Sequence, residues 1–164
     1  MPKLEQHFVV RGYLGKELIQ FKNVKTGPTR TIIDVTGGFV KGQDLDAQII
    51  GGGDWLLINP AAETAHLNVR IQGRTSSGTS IYIHYPGTMK LDEASQKVLS
   101  GAPDAKSTAS GDHYWFTTPR METDDEAWKW IEHVTWVAQG HWIVEGEGED
   151  MKAAVEYEVY LVTN

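Results

Sequence analysis

Ala65-His66-Leu67-Asn68-Val69-Arg70-Ile71-Gln72 alternates apolar and polar side chains without a break. Leu67, Val69 and Ile71 fall on one face of an extended backbone, and His66, Asn68, Arg70 and Gln72 on the other. That is the period of a half-buried strand. Residues 79–85 repeat it, with Ile81 and Ile83 opposite Tyr82 and His84. From Ala154 to Thr163, Val155, Tyr157, Val159 and Leu161 oppose Glu156, Glu158 and Tyr160. Turn signals separate such runs: Gly37-Gly38, Gly51-Gly52-Gly53, Asn59-Pro60, Ser76-Ser77-Gly78, Pro86-Gly87, Gly140 and Gly146. Short strands with little helix between them predict an all-β fold, an antiparallel closed or nearly closed barrel with one or two short helices. The helical candidates are Lys90 to Leu99, where Asp92 and Glu93 suit a helix N-terminus, and Asp124 to Glu132. Residues 100–112 are rich in Gly, Ala, Ser and Pro, so 90–112 reads as a mobile helix and loop insertion. It is either a lid over a site or a tolerated surface addition. No repeat or linker divides residues 1–164, and a single domain is expected.

The chain has 164 residues with a formal charge of -7, from 15 Lys and Arg against 22 Asp and Glu. Nucleic-acid binding needs clustered cations to displace counterions from phosphates, and none cluster here. The acidic balance also argues against an anionic membrane, and no run approaches the roughly 20 apolar residues of a membrane-spanning helix. Cysteine is absent, which removes disulfides, thiolate metal sites and cysteine nucleophiles. The charged N-terminal residues do not read as a signal peptide, so a cytoplasmic location is the expectation.

A glycine loop that cradles phosphate leads directly into a helix. After Gly51-Gly52-Gly53-Asp54 comes Trp55-Leu56-Leu57-Ile58 and then Asn59-Pro60, a strand and a turn. The glycines instead suit a bend or bulge at a barrel rim, with Asp54 and Trp55 near its mouth. Six histidines show no His-x-His or His-x-x-x-His spacing, and no metal is expected. Without a Gly-x-Ser-x-Gly turn, acyl transfer is not expected either.

Further phrases recur in a known order: Val35-Thr36-Gly37-Gly38, Gly42, Gly51-Gly52-Gly53-Asp54-Trp55, Leu67-Asn68-Val69-Arg70, Thr79-Ser80-Ile81-Tyr82 and Tyr114-Trp115-Phe116-Thr117-Thr118-Pro119-Arg120-Met121-Glu122-Thr123, then Ala127-Trp128 and Gly140. Together they resemble the DUF3237 (UPF0311) family from about residue 5 to residue 162. The resemblance implies a small, cofactor-free β-barrel. Some fungal members resemble auxiliary enzymes of secondary metabolism, which implies ring closure or isomerisation of aromatic polyketide-type compounds. Two departures stand out: Asn68 where the family usually has Asp, and Trp130 near a common Asn. A role for that acid therefore does not carry over.

The polar face of residues 66–72 is either a wet outer face or, in a barrel with a cavity, part of the lumen lining. In the second case Arg70 would hold a phenolate, enolate or carboxylate by paired N–H donation, and Asn68 a carbonyl. Glu122 and Asp54 are the acid–base candidates, because a carboxyl in an apolar, Trp-rich pocket keeps its proton to higher pH. Tyr82 is a third catalytic candidate. Trp55 and Trp128 would stack on substrate rings, with His84 and His113 as proton shuttles at the binding site. A buried ion pair between Glu122 and Arg70 or Arg120 is the structural alternative. The leading expectation is a cofactor-independent enzyme for ring closure, such as intramolecular hydroalkoxylation, or isomerisation of an aromatic metabolite. The rival is a lipocalin-like carrier of an apolar aromatic metabolite, and a third reading is a scaffold without a ligand. Six Trp of mixed strand parity cannot all line one pocket, so an exposed aromatic band and a homo-oligomer are expected.

Overall fold

The alternating runs form strands in a computed structural model that describes all 164 residues. The strands are β1 (Lys3–Val24), β2 (Gly27–Gly42), β3 (Leu45–Asn59), β4 (Thr64–Thr75), β5 (Ser80–Lys90), β6 (Trp115–Thr117), β7 (Arg120–Thr123), β8 (Trp136–Glu145) and β9 (Lys152–Thr163). One α-helix, α1 (Glu93–Leu99), follows β5, and a 3-10 helix, Glu126–His133, follows β7. The strands hydrogen-bond in the order β4-β3-β2-β1-β9-β8-β6-β5, and β4 pairs β5, so eight strands close into a ring. β5 holds two partners in succession, β7 through Ile81 to His84 and β6 through Gly87 to Met89. All these pairings are antiparallel, as expected.

The barrel turns its apolar faces inward. Leu67, Val69 and Ile71 of β4, Ile81 and Ile83 of β5, and Tyr157 and Val159 of β9 are buried in one continuous core. His66, Arg70 and Gln72 are exposed and Asn68 is half-buried, so of the two readings of this face the wet outer one holds, and Arg70 and Asn68 do not line the lumen. The physical reason is size: an eight-stranded barrel is about wide enough for side chains to fill. Phe8, Leu56, Met89, Trp115, Trp136 and Trp142 complete that filling.

Glycines set which side chains face in. Along β3, Leu45, Ala47 and Ile49 are buried, and then the parity changes so that Asp54 and Leu56 are buried. The change sits at a β-bulge against β4 between Ile49 and Gly51, as the glycine run predicts. Gly52 has φ +148°, and a Cβ there would lie 2.2 Å from the carbonyl oxygen of Arg70. Only glycine fits that backbone. The bulge therefore turns Asp54 into the barrel and Trp55 out of it.

Each end of the barrel is covered. At one end α1 buries Val98, and Ala105 of the following loop joins the core. Asp92 caps α1 by accepting from Ser95 N–H at 2.8 Å. The loop is tied to β8: Thr108 N–H donates to Trp142 O at 3.0 Å, and Trp142 N–H to Thr108 Oγ1 at 3.0 Å. Trp142 Nε1–H also donates to Ser95 Oγ at 2.9 Å. The insertion at 90–112 thus holds a helix, as expected, and a loop fastened at named points. At the other end the Glu126–His133 helix buries Ile131, whose carbonyl accepts from Trp136 Nε1–H at 3.0 Å. Trp115, Trp136 and Trp142 are core residues, whereas Trp55 and Trp130 are over a third exposed. No helix is long and apolar enough to cross a membrane.

Candidate functional site on the outer wall

Strand register brings Trp55, Asn68, Arg70, Tyr82, His84 and Glu122 together on the outside of the barrel. Arg70 of β4 lies opposite His84 of β5, which lies opposite Arg120 of β7. One rung away, Gln72 faces Tyr82, and Tyr82 faces Glu122. Side chains directly opposite one another start about 5 Å apart at Cβ. Asn68 Oδ1 ties the first row together, accepting from Arg70 Nη1 at 3.2 Å and lying 3.1 Å from His84 Nε2. An amide oxygen only accepts, so His84 presents a proton at Nε2. The Arg70 guanidinium sits 5.6 Å over the Trp55 ring. Arg30 Nη1 donates to the Trp55 carbonyl at 2.6 Å and steadies that strand.

The row Arg70, His84, Arg120 is electrostatically uncompensated. Neither arginine takes part in any of the chain's ion pairs. With no carboxylate paired to either arginine, the row presents two guanidinium groups, one on each side of His84, on the outer wall. Desolvation lowers the proton affinity of His84, and the charges of Arg70 and Arg120 lower it further. Beside the Tyr82 and Glu122 rung runs a groove of about 1030 Å³, bounded by β4, β5, β7 and the Glu126–His133 helix. Ile50, Arg74, Lys129 and His133 also line it. It is as large as the roomiest small-molecule sites, at about 1,000 Å³.

Asp54 is the one predicted acid inside the barrel. It is 7% exposed, beside Tyr85, Trp115, Trp142 and Tyr157. Burial raises its pKa to about 7, against the opposing effects of the Asn68 N–H bond and the Arg30 charge. Burial raises Tyr85 and Tyr157 as well. The cavity at Asp54 measures about 20 Å³, room for roughly one water and not for an aromatic guest. Its structural task is visible in the ladder. Pairing of β3 with β4 lapses between Asp54 and Leu57, and Asp54 Oδ1 accepts the Asn68 N–H at 2.9 Å in that gap. Asp54 thereby positions Asn68, and through it Arg70 and His84.

The remaining candidates lie elsewhere. His113 is buried under α1, bonded through Nδ1 to Asp92 and through Nε2 to Thr108 Oγ1 at 2.8 Å, so it braces the loop. Trp128 packs on Phe8 at 6.0 Å and on Trp130 at 6.2 Å, at the opposite end. Glu122 is exposed on the wall and not in the apolar pocket that the desolvation argument requires. Arg120 enters the sequence reading only as a candidate ion-pair partner of Glu122, a pair the structure does not form; its alternation with buried Met121 puts it on the same face as Glu122. No three His, Asp or Glu side chains converge as a metal site.

A family model described as a protein of unknown function, DUF3237, matches residues 2–162. A conserved protein of unknown function from Rhodopseudomonas palustris is 23% identical, with a TM-score of 0.80 over 99% of both chains. A beta-barrel like protein from Acinetobacter baumannii is 20% identical, with a TM-score of 0.72 over 99% of this chain and 97% of the other. An enzyme from Penicillium herquei is 15% identical, with a TM-score of 0.56 over 96% of this chain and 95% of that one. No curated protein matches the chain. At these identities the structural likenesses speak to the barrel alone, and the match along nearly its whole length makes this chain a member of the DUF3237 family.

Proposed function

We propose that the outer wall binds a small aromatic molecule bearing an anionic oxygen and rearranges it by acid–base catalysis. The observation that carries this reading is the unpaired Arg70–His84–Arg120 row, set one rung from Tyr82 and Glu122 at the edge of a groove of about 1030 Å³. An enzyme from Penicillium herquei shares the barrel, which favours catalysis over storage.

The chemistry follows from the side chains. For ring closure onto an enone, Glu122 takes the proton of the attacking hydroxyl as its oxygen bonds to the β-carbon. The alkene electrons move to the carbonyl oxygen, and the Arg70 and Arg120 guanidinium groups hold the resulting enolate, while the His84 Nε2–H stays on Asn68 and keeps that amide in place. The Tyr82 hydroxyl protonates the α-carbon, and its phenolate regains a proton from Glu122. No atom is gained or lost. Trp55 offers an aromatic surface for the substrate ring.

A second reading rests on Asp54, whose proton is held to about pH 7 in an apolar setting that suits a general acid. It requires the barrel to admit substrate by displacing core side chains. An ortho-hydroxyaryl enone series tests both readings, with loss of enone absorbance as the measure of turnover. Glu122→Gln and Tyr82→Phe should keep binding and lose turnover at least tenfold, while Arg70→Gln and Arg120→Gln weaken binding. Turnover lost only in Asp54→Asn would transfer the chemistry to the lumen. Binding without turnover in every variant would make the protein a carrier.

A further inference from the structure

We propose a second, separate ligand site at the α1 end of the barrel, one that takes amphiphiles with a carboxylate head and an aliphatic or aryl body. The site owes its existence to an irregularity in β1. Leu14 pairs with Val35 and Leu18 pairs with Ile33, so three residues, Gly15, Lys16 and Glu17, stand against Asp34 alone. The strand loops outward there and opens the wall, leaving a cavity of about 320 Å³ between β1, α1 and the start of β9. That volume lies within the range of small-molecule pockets, about 300–1,000 Å³.

The lining is divided by polarity. Leu14, Leu18, Val98, Leu99 and Met151 give an apolar floor, and Lys16 and Lys152 stand among them. Neither lysine belongs to an ion pair. Lys16 Nζ donates to the backbone carbonyl of Glu149, which holds the ammonium in place without neutralising it. The Glu149 side chain is the one carboxylate in the lining, so the cavity carries a net positive charge in a chain of formal charge -7. An apolar body against the leucines with its head on the two ammonium groups satisfies both halves. Leu14, Ile33 and Leu99 also line the Asp54 cavity, so one layer of side chains separates the two spaces.

Calorimetric titration of the full chain with laurate and with 1-dodecanol tests the site. Laurate should bind the wild type at least tenfold more tightly than dodecanol, and the double substitution Lys16→Met, Lys152→Met should erase that preference. Both lysines are exposed, so this variant is expected to fold, and its thermal midpoint checks that. Laurate affinity should be unchanged in Arg70→Gln, Arg120→Gln, which separates this site from the outer wall. Absence of laurate binding, equal affinity for the alcohol, or loss of binding in the arginine variant would each overturn the proposal.

Discussion

Replacing Asp54 by Asn should stabilise the protein above neutral pH and leave it nearly unchanged in acid. The native carboxyl keeps its proton to about pH 7, whereas the same group in the unfolded chain releases it near 3.8. Between those values the native state binds more protons than the unfolded one, so this group makes stability fall as pH rises. The contribution is intact below about pH 4 and lost once pH passes 7. Raising a carboxyl from 3.8 to about 7 at 1.36 kcal/mol per pH unit amounts to about 4 kcal/mol. Relaxation of the interior around the ion lowers the measurable figure to about 2–4 kcal/mol. An asparagine oxygen accepts the Asn68 N–H as the carboxyl does, and it never ionises. Urea unfolding of both proteins between pH 5 and pH 8.5 checks this, because other titrating groups cancel in the difference. At pH 5 about 1.2 pH units of that loss have already accrued, so the variant should exceed the wild type by about 1–1.5 kcal/mol at pH 5 and by about 2–4 kcal/mol at pH 8.5. A pH-independent difference, or one of opposite sign, would mean that Asp54 does not titrate from a buried state.

Gly52→Ala places a methyl 2.2 Å from the Arg70 carbonyl and 2.7 Å from the Ile71 Cα, so backbone must move. Strain and lost ladder bonds should cost about 3 kcal/mol, a fall in melting temperature of roughly 10 °C in thermal unfolding. Arg70→Gln removes one of the charges that disfavour protonated His84, and the NMR titration midpoint of that histidine should rise. Asp92→Ala removes the α1 cap and the partner of His113 together. It should cost about 1 kcal/mol by urea unfolding and speed amide exchange in residues 93–99 before the barrel strands.

The strand runs, the closure and both helical regions were legible because each rests on local pattern. Period-2 alternation needs no tertiary knowledge, and the Gly51-Gly52-Gly53 bulge follows from backbone freedom at glycine. The company kept by Arg70 was partly legible, since Asn68 and Arg70 share parity, as do Tyr82 and His84. Their meeting across β4, β5 and β7 depends on register, which sequence periodicity leaves open. Arg120 shows the limit: only the switch of β5 from β7 to β6 across Thr118 and Pro119 brings it opposite His84. His113 was misplaced for a similar reason, because its partners Asp92 and Thr108 come from a loop whose path no local rule sets.

Which face points inward is a separate question, and energy answers it where parity does not. Turning His66, Asn68, Arg70 and Gln72 into a packed barrel would strand several polar groups at about 1–3 kcal/mol each, and more for the guanidinium. The same inversion would expose Leu67, Val69 and Ile71, forfeiting about 1.5–3 kcal/mol per side chain. Both penalties run the same way, so the polar rung of β4 belongs outside unless a polar cavity receives it. Outside, the arginines keep their hydration and remain free to exchange it for a ligand anion. A recognition site for a charged aromatic molecule is therefore cheaper to build on the wall of this barrel than in its interior. Asp54 is the one carboxyl among the buried side chains, and the interior tolerates it because that group both keeps its proton to about pH 7 and completes the hydrogen-bond ladder at the gap beside Asn68.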